Sequence, residues 1–304
     1  MSGMQKVVEI KNLTKTFGTK QALKGLNMTV PTGAIYGFIG ENGSGKSTTE
    51  KLLCGLLVPN GGQIKLFGRD YKDTDVRAKV GCLIEAPGCF PNYSVWNNLM
   101  LQAANLSIKS PEKEVSRVLK MVRMEGSASN KFKNCSLGMK QRIGIAMALL
   151  DNPMLLILDE PLNGLDADGM RIMREVLVDI TRNDGRTVVI SSHLLGELEK
   201  IATHYGIVRG GKMIKEMTAE ELDEGCRTYI ALQTKDMNRT KALLGCKYSR
   251  VEEENELIRV YDAVRPEEIV TYLYENNILV REIKTDKIGL EEYYIDLMNE
   301  KEVG

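Results

Sequence analysis

Residues 34–49 read Ala34-Ile35-Tyr36-Gly37-Phe38-Ile39, a short apolar run, and then Gly40-Glu41-Asn42-Gly43-Ser44-Gly45-Lys46-Ser47-Thr48-Thr49. This is a strand, a glycine-rich turn, and a lysine followed by hydroxyls at a helix start, with the spacing G-x-x-x-x-G-K-[ST]. Glycine at these positions lets consecutive backbone N–H groups approach an anion with no Cβ in the way. The helix that follows turns the positive end of its dipole on the same point. Lys46 can reach outer phosphates, and Ser47 can place a hydroxyl on Mg²⁺. The plainer alternative is a tight strand-to-helix turn that binds nothing; the apolar strand directly before the loop favours phosphate.

Working outward, 304 residues suffice for one large or two modest domains. Lys+Arg and Asp+Glu both number 41, so no net field points to a nucleic-acid partner or an anionic membrane. The six cysteines (Cys54, Cys82, Cys89, Cys135, Cys226, Cys246) form no C-x-x-C pair and no His/Cys cluster, as expected of buried, reduced thiols in a cytosolic protein. Residues 1–9 carry no apolar core of a secretory signal. No apolar run approaches the roughly 20 residues that span a bilayer. A chain without a transmembrane segment is expected.

The pattern along the chain alternates. Residues 6–13 and 22–30 read as strands with no helix between them, suggesting an added antiparallel layer. A helix is expected from Lys46 to about Leu57, a short strand over 63–67, and a buried strand from Val80 to Glu85. Helices follow near 94–106 and 111–124, the latter capped at Ser110-Pro111. Tyr93, Trp96 and Met100 have the spacing of a core stripe. Another helix begins near Leu137. Met154-Leu155-Leu156-Ile157-Leu158 is the most apolar run, with a helix over 167–183 and a strand over 187–191 beyond it. Short apolar strands alternating with helices predict a mainly parallel sheet covered on both faces. After about Lys215 charges become denser and glycine loops cease. Strands near 227–233, 247–251, 256–261 and 278–285 and helices near 236–244, 266–276 and 289–300 predict a small α+β appendage.

A phosphate loop needs a metal carboxylate and a group to activate water. Asp159 and Glu160 directly follow the buried 154–158 strand, where a parallel neighbour would set Asp159 beside Ser47. Glu160, pointing away from the metal, could hold the attacking water as general base. An acidic pair at the end of a buried strand is costly without a cation or polar partner.

With these residues in place, the chain resembles the ATP-binding cassette (ABC) ATPases over roughly residues 5–216. Gly40 to Ser47 match the Walker A loop and Leu155 to Glu160 match Walker B. Asn163-Gly164-Leu165-Asp166 resembles the D-loop, and His193 of Ser191-Ser192-His193 the switch histidine. Cys135-Ser136-Leu137-Gly138-Met139-Lys140-Gln141-Arg142 resembles the signature motif. The resemblance implies an α/β P-loop NTPase core of ABC type with an added antiparallel β layer. It also implies a helical subdomain at about 88–150, with residues 217–304 as the appendage. It implies that ATP is held by Phe17, Gly40, Asn42, Gly43, Gly45, Lys46, Ser47 and Thr48, with Ser136, Gly138 and Asp166 completing the site. Mg²⁺ is assigned to Ser47, Glu85 and Asp159, and hydrolysis to Glu160 and His193. Phe17, taken alone, reads as a core or turn aromatic; its adenine-stacking role comes from the resemblance.

The sequence departs from the family pattern twice. Leu137 and Met139 replace the signature's usual glycine and glutamine, while Ser136 and Gly138 are kept. Glu85 stands where the family has a glutamine, adding a charge although its oxygens can still ligate Mg²⁺. Leu83-Ile84-Glu85-Ala86-Pro87 and the altered signature resemble the subgroup that exports bacitracin- or lantibiotic-type peptides. The resemblance therefore implies an ATP-hydrolysing subunit at the cytoplasmic face of a membrane. It would form a head-to-tail dimer with a second copy and work with a separate membrane permease, which the segment after Glu85 would contact. Two other readings are a soluble mechanical ATPase acting on ribosomes or DNA and a non-catalytic nucleotide sensor. One cassette, zero net charge and no heptad run argue against the first. Retained Lys46, Asp159, Glu160 and His193 argue against the second.

Overall fold

The chain enters in strands: β1 (Lys6–Phe17) and β2 (Lys20–Pro31) pair antiparallel, from Lys6↔Pro31 to Phe17↔Lys20. The structure, a computed structural model, describes residues 5–225, 228–254, 256–262 and 265–299. Every residue of β3 (Ile35–Ile39) is buried, and it leads through the glycine loop into α1 (Lys46–Leu53). β4 (Gly61–Leu66) and β5 (Arg69–Asp70) complete an antiparallel sheet of order β2-β1-β4-β5, the layer expected from the helix-free start of the chain. After α2 (Thr74–Arg77) and β6 (Val80–Leu83) comes the helical segment: α3 (Val95–Asn105), α4 (Pro111–Met121) and α5 (Leu137–Leu149). The chain then runs through β7 (Leu155–Asp159), α6 (Ala167–Arg182), β8 (Thr187–Ser192) and α7 (Leu195–Glu199). The hairpin of β9 (His204–Arg209) and β10 (Lys212–Thr218) follows.

The second sheet has the order β10-β9-β3-β8-β7-β6 and is parallel except at the β9–β10 edge. Its central strands read as continuous apolar runs because both faces are covered; Leu155, Leu156, Ile157 and Leu158 have no exposed surface. Between the sheets, Val8, Ile10 and Met28 share one core with Phe38, Leu155, Ile157 and Val189. Phe38 and Asp159 both register with Ser191, so β3, β7 and β8 end level. The glycine loop, Glu160 and His193 leave the sheet at that carboxyl edge, where open α/β sheets take their ligands.

Two elements end earlier than the sequence predicts. The helix expected to reach Leu57 stops at Leu53, because Gly55 adopts φ +69 and ends it. Gly55 N–H donates to Leu52 O (3.1 Å) and Leu56 N–H to Lys51 O (2.8 Å), the paired bonds of a Schellman cap. The strand expected to reach Glu85 stops at Leu83, and Glu85 turns out of the sheet at φ +66. The expected core stripe of the helical segment is also displaced. Val95, Asn98, Leu99 and Ala103 are the buried residues, while Tyr93 is half exposed and Trp96 and Met100 are half-buried.

Contacts divide the chain into two units, Met1–Ala219 and Glu220–Gly304. After α8 (Ala219–Gly225), the second unit runs β11 (Thr228–Thr234), α9 (Met237–Lys247), β12 (Val251–Glu254), β13 (Leu257–Val260), α10 (Pro266–Glu275) and β14 (Val280–Lys287). Its antiparallel sheet, β12-β13-β11-β14, is a split βαβ arrangement with its own core of Ile230, Leu232, Leu244, Ile258, Val260, Ile269 and Leu273. α11 (Leu290–Asn299) joins this sheet through Glu292, which accepts from Arg259 Nη1 at 2.8 Å. Cys54, Cys82, Cys89, Cys135 and Cys246 are free thiols, of which Cys82 and Cys246 are exposed rather than buried as expected, and Cys226 lies outside the described residues. Among the described residues no helix is long and apolar enough to cross a membrane.

Candidate functional site

The glycine loop owes its shape to backbone that side chains would disturb. Gly43 and Gly45 have φ +81 and +114, and a Cβ on Gly45 would stand 2.7 Å from Leu23 Cδ2. A Cβ on Gly40 would press on Ser44 Oγ at 2.6 Å. The loop is tied down from outside by Gly211 N–H, which donates to Ser44 O at 2.8 Å. Lys46 opens α1 and is buried; its Nζ donates to Gly40 O (2.5 Å) and Glu41 O (3.2 Å). The loop thus holds a cation at a glycine-rich helix start, a setting suited to phosphate.

Asp159 is the last residue of β7, so the sheet itself brings it to the loop. Ser47 Oγ lies 3.4 Å from Asp159 Oδ1, and Ser191 Oγ donates to the same oxygen at 2.9 Å. Ser191 also accepts from Glu160 N–H at 3.1 Å. Glu160 itself sits at φ +49, an uncommon conformation for a residue with a side chain. Its Oε2 meets His193 Nδ1 at 2.8 Å. The hydroxyl and carboxylate of Ser47 and Asp159 are the hard-oxygen donors that Mg²⁺ takes. Among the described residues no group of three or more His, Cys, Asp or Glu could hold a metal alone. Mg²⁺ usually completes its shell with substrate phosphate and water. The residues present fit Mg²⁺ and a nucleotide phosphate together.

Phe17, Lys20, Asn42, Gly43, Gly45, Lys46, Ser47, Thr48, Asp159 and Glu160 all line one cleft of about 350 Å³. Phe17 is 46% exposed, with Lys15 Nζ at 5.1 Å from its ring, so it is not the core aromatic that it resembles in isolation.

Four predicted residues stand elsewhere. Glu85 is an exposed side chain paired with Lys51 Nζ at 2.8 Å, and the ammonium holds its carboxyl below the usual range. Ser136 caps α5, accepting from Met139 N–H at 3.3 Å; it and Gly138 line no part of the cleft. Asp166 caps α6, accepting from Gly169 N–H at 2.8 Å.

The sequence reading passes over two residues. Ser191 links Asp159 to Glu160 only because β7 and β8 lie in register, which no local spacing reveals. Glu50 is fully buried on α1, three residues after Ser47 and four after Lys46, and so on their face of the helix. Burial first, and then the charge of Asp159, push its carboxyl well above the ordinary range, with Ser191 and Lys46 pulling the other way. A charged residue at a buried helix position was the available signal.

Residues 23–163 match the ABC transporter family profile. Over 307 residues the chain is 34% identical to the bacitracin transport ATP-binding protein BcrA of Bacillus licheniformis, covering 99% of this chain and 100% of that protein. It is 39% identical over 221 residues to the lantibiotic transport ATP-binding protein SrtF of Streptococcus pyogenes, covering 72% of this chain and 95% of that one. A solved dimeric ATP-binding cassette in a post-hydrolysis state, bound to ADP and Pi, aligns with TM-score 0.63 and 26% identity, covering 70% of this chain and 98% of that chain.

Proposed function

The chain belongs to the ABC transporter family, and from that premise we propose that it is the ATP-hydrolysing subunit of a membrane exporter for bacitracin- or lantibiotic-like peptides. The single observation that carries hydrolysis is the chain of contacts Ser47–Asp159–Ser191–Glu160–His193 at the mouth of the phosphate loop. Ser47 and Asp159 are the groups that would hold Mg²⁺, which when bound neutralises phosphate charge. Lys46 brings a positive charge to the phosphates from inside the loop. Glu160, oriented by His193 on one oxygen, uses its carboxylate to take the proton of the attacking water. His193 supplies the geometry that keeps Glu160 aimed, and Phe17 offers a flat apolar face at the cleft rim.

Ser136 and Gly138 support a site shared between two copies. A Cβ on Gly138 would meet nothing closer than Leu165 Cδ2 at 3.6 Å, so packing within the chain does not call for glycine there. An incoming phosphate does, because it needs the bare backbone N–H. We assign Ser136 and Gly138 to the nucleotide of a second, head-to-tail copy, with Asp166 at the same interface. Glu85, which pairs with Lys51, is assigned to the metal side of the site. Residues 5–216 form the ATP-binding domain, with a helical subdomain over 88–150 and an accessory region over 217–304. Phe90 and Tyr93, about half exposed with tilted rings 5.3 Å apart, support the segment after Glu85 as the seat for a membrane permease on the cytoplasmic side. Phosphate release from ATP tests the reading. The wild type turns over, and Lys46→Ala loses both nucleotide binding and turnover. A Lys46→Ala variant as active as the wild type would overturn it.

A further inference from the structure

β14 is the longer of the two edge strands in the second unit's sheet, and among the described residues it pairs only with β11. Arg281, Glu282, Lys284, Thr285 and Lys287 along it are exposed. An open edge of this length is a template for another strand. The opposite edge is guarded. β12 has only four residues, and a second copy centred on its Glu252 or Glu253 would meet like charge. β14 instead carries both signs: Lys284 and Asp286 stand on one face of it, Nζ to Oδ2 at 3.0 Å. Its ladder with β11 is regular from Glu282 to Lys287 and skips Arg281, so the alternation of faces holds over that run.

Geometry restricts how β14 meets its own copy. Successive residues turn their N–H and C=O groups to alternate sides, so an antiparallel self-pairing must centre on a residue and not between two. Centred on any charged residue, it sets that charge against itself, which leaves Ile283 and Thr285 within the regular run. Centred on Ile283, it meets the irregular Arg281 two residues away. Centred on Thr285, it stays regular: Thr285 faces Thr285, each Lys284 faces Asp286 of the other copy, and Ile283 faces Lys287. Facing threonines and opposite charges are favourable cross-strand pairs. We propose that β14 is a self-association edge, on which a second copy of this chain adds its own β14 antiparallel about Thr285. The two four-stranded sheets then join into one of eight. So small a contact is transient in dilute solution. It uses the second unit alone and is independent of the nucleotide site.

Covalent trapping of the full chain tests this, with Thr285→Cys placed in a background of Cys82→Ser, Cys226→Ser and Cys246→Ser. At the two-fold centre the Cβ atoms of the facing residues lie about 5 Å apart, close to disulfide reach. Copper–phenanthroline with oxygen oxidises the two thiols to a disulfide, and the dimer is followed on non-reducing gels without nucleotide. Glu282→Cys in the same background is the control. It is also exposed, but its two copies would stand about 20 Å apart along the paired strands. Thr285→Cys is expected to cross-link about tenfold faster than Glu282→Cys. Adding Lys284→Glu slows it about tenfold, and adding Asp286→Lys as well restores the opposite charges and the rate. A Thr285→Cys rate no higher than that of Glu282→Cys overturns the proposal. So does a rate that Lys284→Glu leaves unchanged, or one that the double charge swap fails to recover.

Discussion

Glu160 and His193 meet at 2.8 Å on a backbone held at an uncommon φ, and the hydroxyl of Ser191 fixes that backbone by accepting from Glu160 N–H. Replacing Glu160 by Gln keeps the shape and removes the proton acceptor. Phosphate release is expected to fall by about 10²- to 10⁴-fold while ATP binding persists, as a filter-binding assay run beside the turnover assay would show. Ser191→Ala acts differently. It takes a hydrogen bond from buried Asp159 and the acceptor from Glu160 N–H, so chemical unfolding is expected to show a loss of about 1–3 kcal/mol. Turnover drops with it. At this scale the sequence was informative wherever function is written in consecutive residues: Lys46, Ser47, Asp159 and Glu160 stand where the loop and the buried strand predict. Ser191 and the buried Glu50 were not legible, because strand register and the buried face of a helix place them. The pairing of Glu85 with Lys51 was not legible either, since the two stand on different elements.

Elements show the same division. The parallel strands were legible because covered faces demand uninterrupted apolar runs, and β3, β7 and β8 supply them. The end of α1 was overshot because apolar residues continue through Leu57, while Gly55, a C-terminal cap, ends the helix. The junction of β6 with α5 gives a sharp test of packing. A Cβ on Gly81 would strike the carbonyl oxygen of Ala148. Gly81→Ala is therefore expected to lower stability by about 1–3 kcal/mol in denaturant unfolding, although the residue touches no part of the cleft. A variant as stable as the wild type would show that β6 and α5 give way more easily than their contact implies.

For the whole molecule, the two units have separate cores, one beneath the nucleotide cleft and one around Leu273. Leu273→Ala is expected to lower the stability of the second unit by about 2–5 kcal/mol, seen in thermal unfolding, and to leave the ATP dissociation constant unchanged. The α+β character of this unit was legible from its periodicity. Its split βαβ pairing was not, since strand order depends on long-range partners that no local pattern names. The first unit raises the larger question. Its cleft gathers the loop, Asp159 and Glu160, while Ser136 and Gly138 stand away from it, facing no partner that would call for a glycine. The central claim is that each copy carries half of two active sites. Sedimentation of Glu160→Gln with and without saturating Mg²⁺–ATP tests it most directly: the account predicts a monomer that becomes a dimer holding one nucleotide per chain, and a species that binds Mg²⁺–ATP yet remains monomeric would contradict it.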